Sequence, residues 1–388
     1  MLRLASASSR GGPGDATADA LARSVADRLG GAPARAVIFF ATPHHGPGYG
    51  RIERALAAAT GAEHVVGCSA SAVVGADADI EAGPGVAALA LAGDLEARRF
   101  FLPSLRGRAE ETGRDVGRVA REIASEPRSI VLLADSYNVA PDELIAGIAA
   151  VAPDVALVGG GATEDGSLGL TTVVGRGASA SNAVAGLALG GVRLRTAVAS
   201  SCAIFGDWWT ITSAQGNRVL ALDGEPALGA FLARLPESLR DDLRTALRST
   251  LAAVAAPVEA GEIAPPYVLR PFVGGDARTG ALLVGDEVMA GMRLAIAVRD
   301  AQVAREALDD GVARLVSAGA DLAGALYFNG LDRGESFYGI AELESAYLRR
   351  RLGERPLAGL TCSAGFAPLG GRNRFHQHAG VLVGLEPA

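Results

Sequence analysis

The sequence predicts an α/β protein with mixed parallel and antiparallel sheets, flanking helices and two related domains. Short apolar runs rich in β-branched and aromatic residues alternate with amphipathic helical segments through most of the chain, which is the pattern of strands and crossover helices. Glycine-separated segments between residues 171 and 222 are typical of antiparallel sheet. The 388 residues exceed the ordinary size of one domain, so we expect two.

The composition excludes several classes of protein. Hydrophobic residues make up 49% of the chain, which excludes global disorder. The net charge of −7 argues against nucleic-acid binding, and no apolar run reaches the about 18–20 residues that a membrane helix needs. The start lacks the apolar segment of a signal peptide, and three scattered cysteines are typical of a reducing compartment. We therefore expect a cytoplasmic protein that binds neither nucleic acid nor membrane.

All 36 basic residues are arginine. Without lysine the chain can form no Schiff base, no pyridoxal phosphate site and no phosphate loop of the Walker type. The glycine clusters do not match a dinucleotide-binding motif either. No cofactor is predicted.

The chain divides into a start and two domains. Residues 1–33 are predicted as a mobile, polar start followed by a short helix with Leu21, Val25 and Leu29 on one face. The first domain is predicted over 34–221, with strands and helices at 36–41, 51–60, 64–68, 86–92, 116–123, 129–134, 141–148 and 154–160, and antiparallel strands at 171–222.

The second domain is predicted over 222–388. It begins where the short strands give way to a long helix with leucine at every fourth position from 235 to 251. Asp300 is predicted to cap the next helix. The remaining strands and helices are expected at 292–300, 303–316, 321–330, 341–352, 356–366 and 378–385.

A strand–helix–strand pattern occurs three times. Each time a buried strand ends in polar residues, a helix follows, and a second strand ends in a loop of tiny residues. The three units run from AVIFFATPHH to GCSA (67–70), from SIVLLADSYN to GGGA (159–162) and from GALYFNGLDRG to TCSA (361–364). If the strands of each pair are parallel, both polar ends lie at the same sheet edge, where α/β proteins bind ligands.

The histidines and cysteines allow two interpretations. A parallel first pair would bring His44 or His45 near Cys68, and Cys362 could similarly meet His376, so a thiol nucleophile with a histidine base is conceivable. A small buried thiol is the commoner fate of such cysteines. His376 and His378 would share one face of a strand, but no metal-site spacing accompanies them, and no metal is predicted.

An ordered set of motifs from about residue 35 to the end resembles the FIST family, an N-terminal FIST domain followed by a FIST C domain. The first domain carries AVIFFATPHH, GCSASAVVGADADIE, SIVLLADSYNVAPDELI and VALVGGGATEDG, and the junction reads SCAIFGDWWTITSAQGNRVLALDGEPAL. The second domain carries YVLRPFVGGDARTGALLVGDEVMAGMRLAIAVRDA, LYFNGLDRG and PLAGLTCSAGFAPLGGRNRFHQHAG. The resemblance implies a bacterial sensory module for signal transduction that binds a small ligand, an amino acid or a derivative.

The chain departs from the family pattern at three polar positions. Gly365 and Phe366 stand where the family has Glu-Ile, Gly330 stands where a cysteine is common, and the junction keeps Cys202 but lacks the arginine that follows it in the family. These departures imply that the chain binds a different or less polar ligand, or has lost binding.

The site is predicted in the loops that follow the strands. The C-terminal set suits a small zwitterion or carboxylate, because Arg333 or Arg372 could hold a carboxylate and Asp332 an amino group. The complete predicted ligand-binding set comprises Asn329, Asp332, Arg333, Cys362, Ser363, Arg372, Asn373 and His376, with His44, His45, Cys68 and Ser69 from the first unit.

We predict a non-catalytic protein that binds an amino-acid-like molecule and passes its signal to a separate protein. The alternative is a cysteine-dependent enzyme that uses Cys68 or Cys362 with a nearby histidine. A scaffold for protein partners is a third hypothesis, which a large exposed apolar patch would support.

Overall fold

The computed structural model describes residues 1–76, 79–257, 266–317 and 321–388. The helices are α1 (Asp15–Leu29), α2 (Tyr49–Thr60), α3 (Ala109–Arg121), α4 (Pro141–Val151), α5 (Ala227–Arg234), α6 (Glu237–Arg240), α7 (Leu243–Ser249), α8 (Ala301–Ser317), α9 (Glu335–Tyr338) and α10 (Leu343–Leu352), with a short 3-10 helix at Pro43–His45. The strands are β1 (Arg3–Arg10), β2 (Ala34–Ala41), β3 (His64–Ser69), β4 (Val73–Gly75), β5 (Gly85–Ala92), β6 (Glu96–Pro103), β7 (Arg128–Asp135), β8 (Ala156–Ala162), β9 (Val173–Gly175), β10 (Ala178–Ala180), β11 (Ala183–Gly190), β12 (Val192–Ser200), β13 (Cys202–Gln215), β14 (Arg218–Leu222), β15 (Glu225–Pro226), β16 (Leu251–Ala255), β17 (Tyr267–Asp276), β18 (Ala281–Val284), β19 (Arg293–Arg299), β20 (Gly324–Gly330), β21 (Leu357–Cys362), β22 (Gly365–Leu369), β23 (Arg372–His376) and β24 (Ala379–Pro387).

The predicted α/β class with mixed sheets is confirmed, and so are the three parallel strand pairs. Strands β2 and β3, β7 and β8, and β20 and β21 pair in parallel across their helices. The antiparallel character of the strands after residue 171 is also confirmed. As predicted, the Asp300 carboxylate caps α8, because it accepts hydrogen bonds from the backbone N–H groups of Gln302 and Val303 at 2.8 and 3.0 Å.

Each of the three units is part of a larger repeat. Repeat 1 comprises β1 to β5, repeat 2 comprises β6 to β11, and repeat 3 comprises β12 and the elements from α8 to β24. The three sheets have the orders β1-β5-β2-β3, β6-β11-β7-β8 and β12-β24-β20-β21, so first, last and central strands occupy the same places in each. The sequence signalled only the central pair of each repeat.

The three sheets share one core. Their inner faces contribute apolar side chains to a single buried cluster, in which Phe40, Leu133 and Phe328 stand at equivalent register positions. The outer face of each sheet is covered by a pair of helices: α1 with α2, α3 with α4, and α8 with α10. Strand residues alternate between the two faces, and both faces are apolar, which explains the continuous apolar runs in the sequence.

The repeats exchange strands. After its second parallel strand, each repeat sends the next strand to a neighbouring sheet: β4 pairs with β21, β9 with β3, and β22 with β8. Besides these ladders, one further backbone hydrogen bond per repeat holds the exchanged segment, from Thr361 N–H to Ala72 O, from Ser69 N–H to Thr172 O and from Gly161 N–H to Ala364 O, at 2.9, 2.8 and 2.9 Å. The three repeats therefore depend on one another for their sheets.

The chain forms two compact units. Unit 1 holds the three repeats (1–199, 305–375 and 379–388), and unit 2 holds residues 200–304 with 376–378. Unit 2 contains a seven-stranded sheet of order β13-β19-β16-β17-β18-β14-β15, so along the sequence it is an insertion between the first strand and the first helix of repeat 3. The compact units divide the chain after Ala199, whereas the sequence predicts its domain boundary after residue 221.

Two local predictions are wrong. The start is not mobile, because β1 pairs with β5 over its whole length and buries Leu4, Ala5 and Ala7. The small residues of this segment are typical of a mobile polar start, but here they pack beside the neighbouring strand β5. The predicted long helix at 235–251 is instead two short helices, α6 and α7, because Pro236 separates them from α5 and Leu251 begins β16.

A third local prediction is also wrong, at the end of the chain. His376 and His378 do not share a strand face, because β23 ends at His376 and His378 has a left-handed φ of 52°. None of the helices within the described ranges has both the length and the apolar character required to cross a bilayer.

Candidate functional site

A cavity of about 170 Å³ lies where repeat 3 meets the strand that repeat 1 contributes to its sheet. The loop after β20, the start of α10 and the segment that follows β4 line it. Its charged and hydrogen-bonding groups include Asp79, Glu81, Tyr327, Asn329, Arg333 and Glu344. We call this space the repeat 3 cavity.

Local sequence places these groups. Tyr327 and Asn329 are two residues apart on β20, so they share one face of the strand, and the tyrosine hydroxyl oxygen lies 3.2 Å from the Asn329 Oδ1. Glu344, Leu348 and Leu352 follow one another at four-residue intervals on α10, and all three are buried. The apolar face of α10 therefore carries a carboxylate to the cavity.

Arg333 and Glu344 form a buried ion pair. The Arg333 side chain has no solvent-exposed surface, and that of Glu344 is 5% exposed. The Arg333 Nε donates to Glu344 Oε1 at 3.0 Å and its Nη2 donates to the same oxygen, while Nη1 donates to the Ala199 carbonyl at 2.9 Å. The Asn329 Nδ2 donates to the Arg333 carbonyl at 3.0 Å, which holds the loop. Such a pair is stable only when its other hydrogen-bonding groups are satisfied, as they are here.

Two tyrosines complete the network around Glu344. The Tyr327 hydroxyl donates to Glu344 Oε2 at 2.9 Å and the Tyr338 hydroxyl to Oε1 at 2.5 Å. Burial, and then the negative charge of Glu344, raise the pKa of both hydroxyls. Burial lowers the pKa of Arg333, but the charge and hydrogen bond of Glu344 together with the two neighbouring tyrosines outweigh burial and leave that pKa raised. Both tyrosines are therefore protonated donors and Arg333 is charged at neutral pH.

The segment after β4 brings two further carboxylates. The Asp79 carboxylate accepts from Arg349 Nη1 at 3.0 Å, and burial, only partly offset by Arg349, raises its pKa to about 7. The Arg10 Nη2 donates to the Asp79 carbonyl at 2.5 Å and to Glu342 Oε1 at 3.1 Å. The Glu81 Oε1 accepts from the Glu342 backbone N–H at 3.0 Å. The cavity can therefore hold a small polar molecule between fixed donors and acceptors.

Matches to family models cover most of the chain. The FIST N domain model matches residues 35–225, and the FIST C domain model matches residues 227–368. The chain belongs to the FIST family. The order of the two domains agrees with the sequence resemblance, and FIST domains are in general sensory or signal-transduction modules.

Relatives of this FIST protein are known by sequence. An uncharacterized protein of Mycobacterium bovis is 31% identical over 321 residues, which is 80% of each chain. An uncharacterized protein of Mycobacterium tuberculosis is 26% identical over 371 residues, which is 93% of each chain. Among solved structures, a cyanuric acid hydrolase from A. caulinodans aligns with 49% of this chain and 70% of its own at 11% identity, with a TM-score of 0.27. That score is too low to support an argument.

The structure brings together only part of the predicted C-terminal site of the FIST protein. Asn329 and Arg333 line the repeat 3 cavity. Asp332 follows β20 in the same loop. Cys362 is buried in the shared core, and the Ser363 hydroxyl forms a 2.6 Å hydrogen bond with that of Ser136 in repeat 2.

The remaining C-terminal candidates lie outside the lining of the cavity. Arg372 is exposed on β23 and is not among the residues that line the cavity. The Asn373 side chain satisfies backbone groups beside β8, because its Oδ1 accepts from Leu157 N–H and its Nδ2 donates to the Val155 carbonyl, both at 2.9 Å. His376 is buried and belongs to unit 2. Asn373 thus has a structural role in the sheet.

The candidates from repeat 1 also have local partners. The His44 Nδ1 lies 3.3 Å from the Thr42 hydroxyl. Burial, and then His44, lower the pKa of buried His45, so its ring is neutral. The Ser69 hydroxyl accepts from Thr172 N–H at 2.9 Å, which helps to hold the exchanged strand β9. Cys68 lies in the shared core with Cys362.

Alkylation with iodoacetamide is expected to leave Cys68 and Cys362 unmodified in the folded protein at neutral pH. Both thiols are buried. Burial raises the pKa of Cys362 to about 12 and raises that of Cys68 well above its ordinary value, so the reactive thiolate is scarce. Mass spectrometry of the labelled protein measures the modification, and the urea-unfolded protein is the positive control. Rapid labelling of either cysteine at neutral pH would contradict this expectation and favour the enzymatic alternative.

Sequence reasoning missed most of the cavity. Asp79, Glu81, Tyr327, Tyr338 and Glu344 were not candidates. One signal was available, since a glutamate in register with Leu348 and Leu352 on a helix is an acid on an apolar face. Asp79 and Glu81 had no such signal, because only the strand exchange brings them to repeat 3.

Within the described ranges, no group of three or more His, Cys, Asp or Glu side chains is arranged to hold a metal ion.

Proposed function

We propose that this FIST protein is a sensory protein that binds a small ligand, an amino acid or a derivative of one, in the repeat 3 cavity. The observation that carries the proposal is the buried Arg333–Glu344 pair at the wall of the repeat 3 cavity. Burying two charges is costly, and replacing them with apolar residues is often neutral or stabilising for the fold. A fold that keeps them beside a cavity fits a site for a polar molecule.

The size and chemistry of the cavity support a ligand of this class. A volume of about 170 Å³ is several times the roughly 30 Å³ that a water molecule occupies in the liquid. The Asp79 and Glu81 carboxylates provide acceptors for an ammonium group. The same space is lined by Leu331 and Ile340, which are 52% and 56% exposed. We propose that a partner protein binds this apolar surface and distinguishes the ligand-bound from the ligand-free state.

The cysteine-dependent alternative draws no support from the thiols. A catalytic thiolate needs a depressed pKa and access to substrate, whereas Cys68 and Cys362 are buried with raised pKa values.

A thermal-shift screen tests the proposed function. The probes are the standard amino acids and the amines formed by their decarboxylation, each at millimolar concentration. A ligand that binds only the folded state raises Tm, since a concentration of 100 Kd stabilises by about 2.7 kcal/mol. We expect at least one probe to raise Tm in the wild type, and absence of any shift would overturn the proposal.

The variant Leu331→Trp tests whether the ligand binds in the repeat 3 cavity. Leu331 lines the cavity, so the larger ring should weaken binding by more than about tenfold, the effect of losing roughly 1.4 kcal/mol. The matched control is Leu168→Trp, since Leu168 is 60% exposed on a loop of repeat 2. Equal affinity in both variants would show that the ligand binds elsewhere.

A further inference from the structure

We infer that the ligand of the repeat 3 cavity carries a net positive charge: an amine, a guanidine or a dibasic amino acid. This inference rests on the proposed function and names the chemical class of its ligand. It depends on the balance of charge among the groups that line the cavity, and on how the nearby arginines are used.

Carboxylates outnumber cations in the lining. Among the described residues that line the cavity, the carboxyl groups are those of Asp79, Glu81 and Glu344, and Arg333 is the arginine. Burial raises the pKa of Asp79 to about 7, so this group is only partly ionised at neutral pH, but Glu81 and Glu344 still outnumber Arg333. A neutral zwitterion or an anion entering this space would meet an excess of negative charge.

Arg333 does not provide a clamp for a ligand carboxylate. Its Nε and Nη2 both donate to Glu344, and its Nη1 donates to the Ala199 carbonyl. A bidentate carboxylate contact needs two parallel N–H donors from one guanidinium. Those donors are committed to the protein, so the carboxylate role that the sequence predicted for Arg333 does not fit its geometry.

The arginines at the edge of the cavity are also committed to acids. Arg349 donates to the Asp79 carboxylate at 3.0 Å and to the Gly75 carbonyl at 3.3 Å. Arg10 donates to the Asp79 carbonyl and to Glu342. These contacts hold the segment after β4 against α10, and they leave Glu81 as the carboxylate toward which neither guanidinium is directed.

Glu81 lies among charges of its own sign. Burial, and then the carboxylates of Glu342, Glu335 and Glu344, raise the pKa of Glu81, while the Glu342 backbone N–H lowers it. A cation beside Glu81 would relieve this repulsion, whereas an anion would add to it. Glu81 is therefore the lining carboxylate whose ionised form a positively charged ligand would stabilise most.

Isothermal titration calorimetry tests the inference with pairs of probes that are similar in size and differ in charge. Cationic L-arginine is compared with its neutral isostere L-citrulline, and putrescine with 4-aminobutyrate, at pH 7.5. We expect the cationic member of at least one pair to bind more than about tenfold more tightly, as loss of one charge-assisted hydrogen bond predicts. Glu81→Gln keeps the shape and the acceptor for Glu342 N–H but removes the charge, so it should abolish most of that preference.

The control is Glu143→Gln. Glu143 is exposed on α4 in repeat 2, so its neutralisation changes the net charge of the protein equally without touching the cavity. It should leave the preference for the cation unchanged. Circular dichroism and Tm of both variants confirm that each is folded.

The possible outcomes separate the inference from the proposed function. If neutral or anionic probes bind as tightly as cations and Leu331→Trp abolishes their binding, the inference is wrong and the proposed function stands. If the cation preference persists undiminished in both Glu81→Gln and Leu331→Trp, the inference is also wrong, because the cation then binds outside the repeat 3 cavity. If no probe binds in either experiment, both the inference and the proposed function are wrong.

Discussion

Glu344→Gln is expected to lower the free energy of unfolding by about 3–5 kcal/mol, the usual cost of breaking a buried ion pair by removing one partner. The substitution keeps the shape of the side chain but leaves the Arg333 guanidinium, which has no exposed surface, without its counter-ion. It also weakens the acceptor shared by Tyr327 and Tyr338. Urea denaturation followed by far-UV circular dichroism measures the loss; tryptophan fluorescence is unsuitable, because Trp208 and Trp209 both lie in unit 2.

A surface pair provides the matched control. Arg108 and Glu111 form a bidentate contact with N···O distances of 2.9 Å, but their side chains are 50% and 58% exposed. Glu111→Gln should therefore cost much less than Glu344→Gln, because solvent screens an exposed ion pair. The double variant Arg333→Met/Glu344→Leu should lower the free energy of unfolding by less than the sum of the losses caused by Arg333→Met and Glu344→Leu alone. The reason is that no unpaired charge remains in the double variant. A cost below about 1 kcal/mol for Glu344→Gln would contradict the role given to the pair.

Gly159→Ala is expected to destabilise the protein by about 3 kcal/mol or more, or to prevent soluble expression. Gly159 lies on β8 opposite Leu132 of the parallel strand β7. A Cβ at this position would stand 1.9 Å from the Leu132 carbonyl oxygen, and the φ of +146° is one that glycine alone adopts readily. Neither backbone can move without breaking the parallel ladder, so the strain of overpacking adds to the conformational cost.

The same position is glycine in all three repeats. Gly67 stands opposite Phe39 and Gly359 opposite Tyr327 at the equivalent register. Gly229→Ala is the control, because a Cβ there meets nothing within 4 Å and the residue lies in helix α5. It should be neutral or stabilising by about 0.4–1 kcal/mol. Thermal unfolding of the two variants gives the comparison, and equal stabilities would show that the ladder tolerates a side chain at Gly159.

The repeat pattern shows how far sequence reasoning reached. The parallel pairs were predictable, because a buried strand, a helix and a second strand are contiguous in sequence and consecutive elements usually lie next to each other in the fold. The outer strands β1, β6 and β12 and the exchanged strands were not, since their partners lie far along the chain. Nothing local distinguishes Val73–Gly75, which pairs with β21, from a strand that pairs with its own repeat.

The candidate site divides in the same way. Asn329 and Arg333 were predicted because they follow a strand directly, where α/β proteins place ligand-contacting groups. The sequence assigned Arg333 to a ligand carboxylate, because its partner Glu344 lies eleven residues away on a helix whose orientation no local pattern predicts. Arg372 and Asn373 were included for the same local reason, but the hairpin that carries them pairs with the sheet of repeat 2.

By itself the sequence determined the α/β class, the family and the three parallel pairs of this protein, because each depends on residues that are neighbours in the chain. The tertiary structure alone decided that three repeats share one core, that a separate unit is inserted in the third, and that Asp79 and Glu81 of repeat 1 meet Tyr327 and Glu344 of repeat 3. The physical reason is that strand exchange and burial of charge are settled by long-range pairing. Backbone hydrogen bonds and counter-ions must all be satisfied at once in such pairing, and no single stretch of sequence records which distant segment satisfies them.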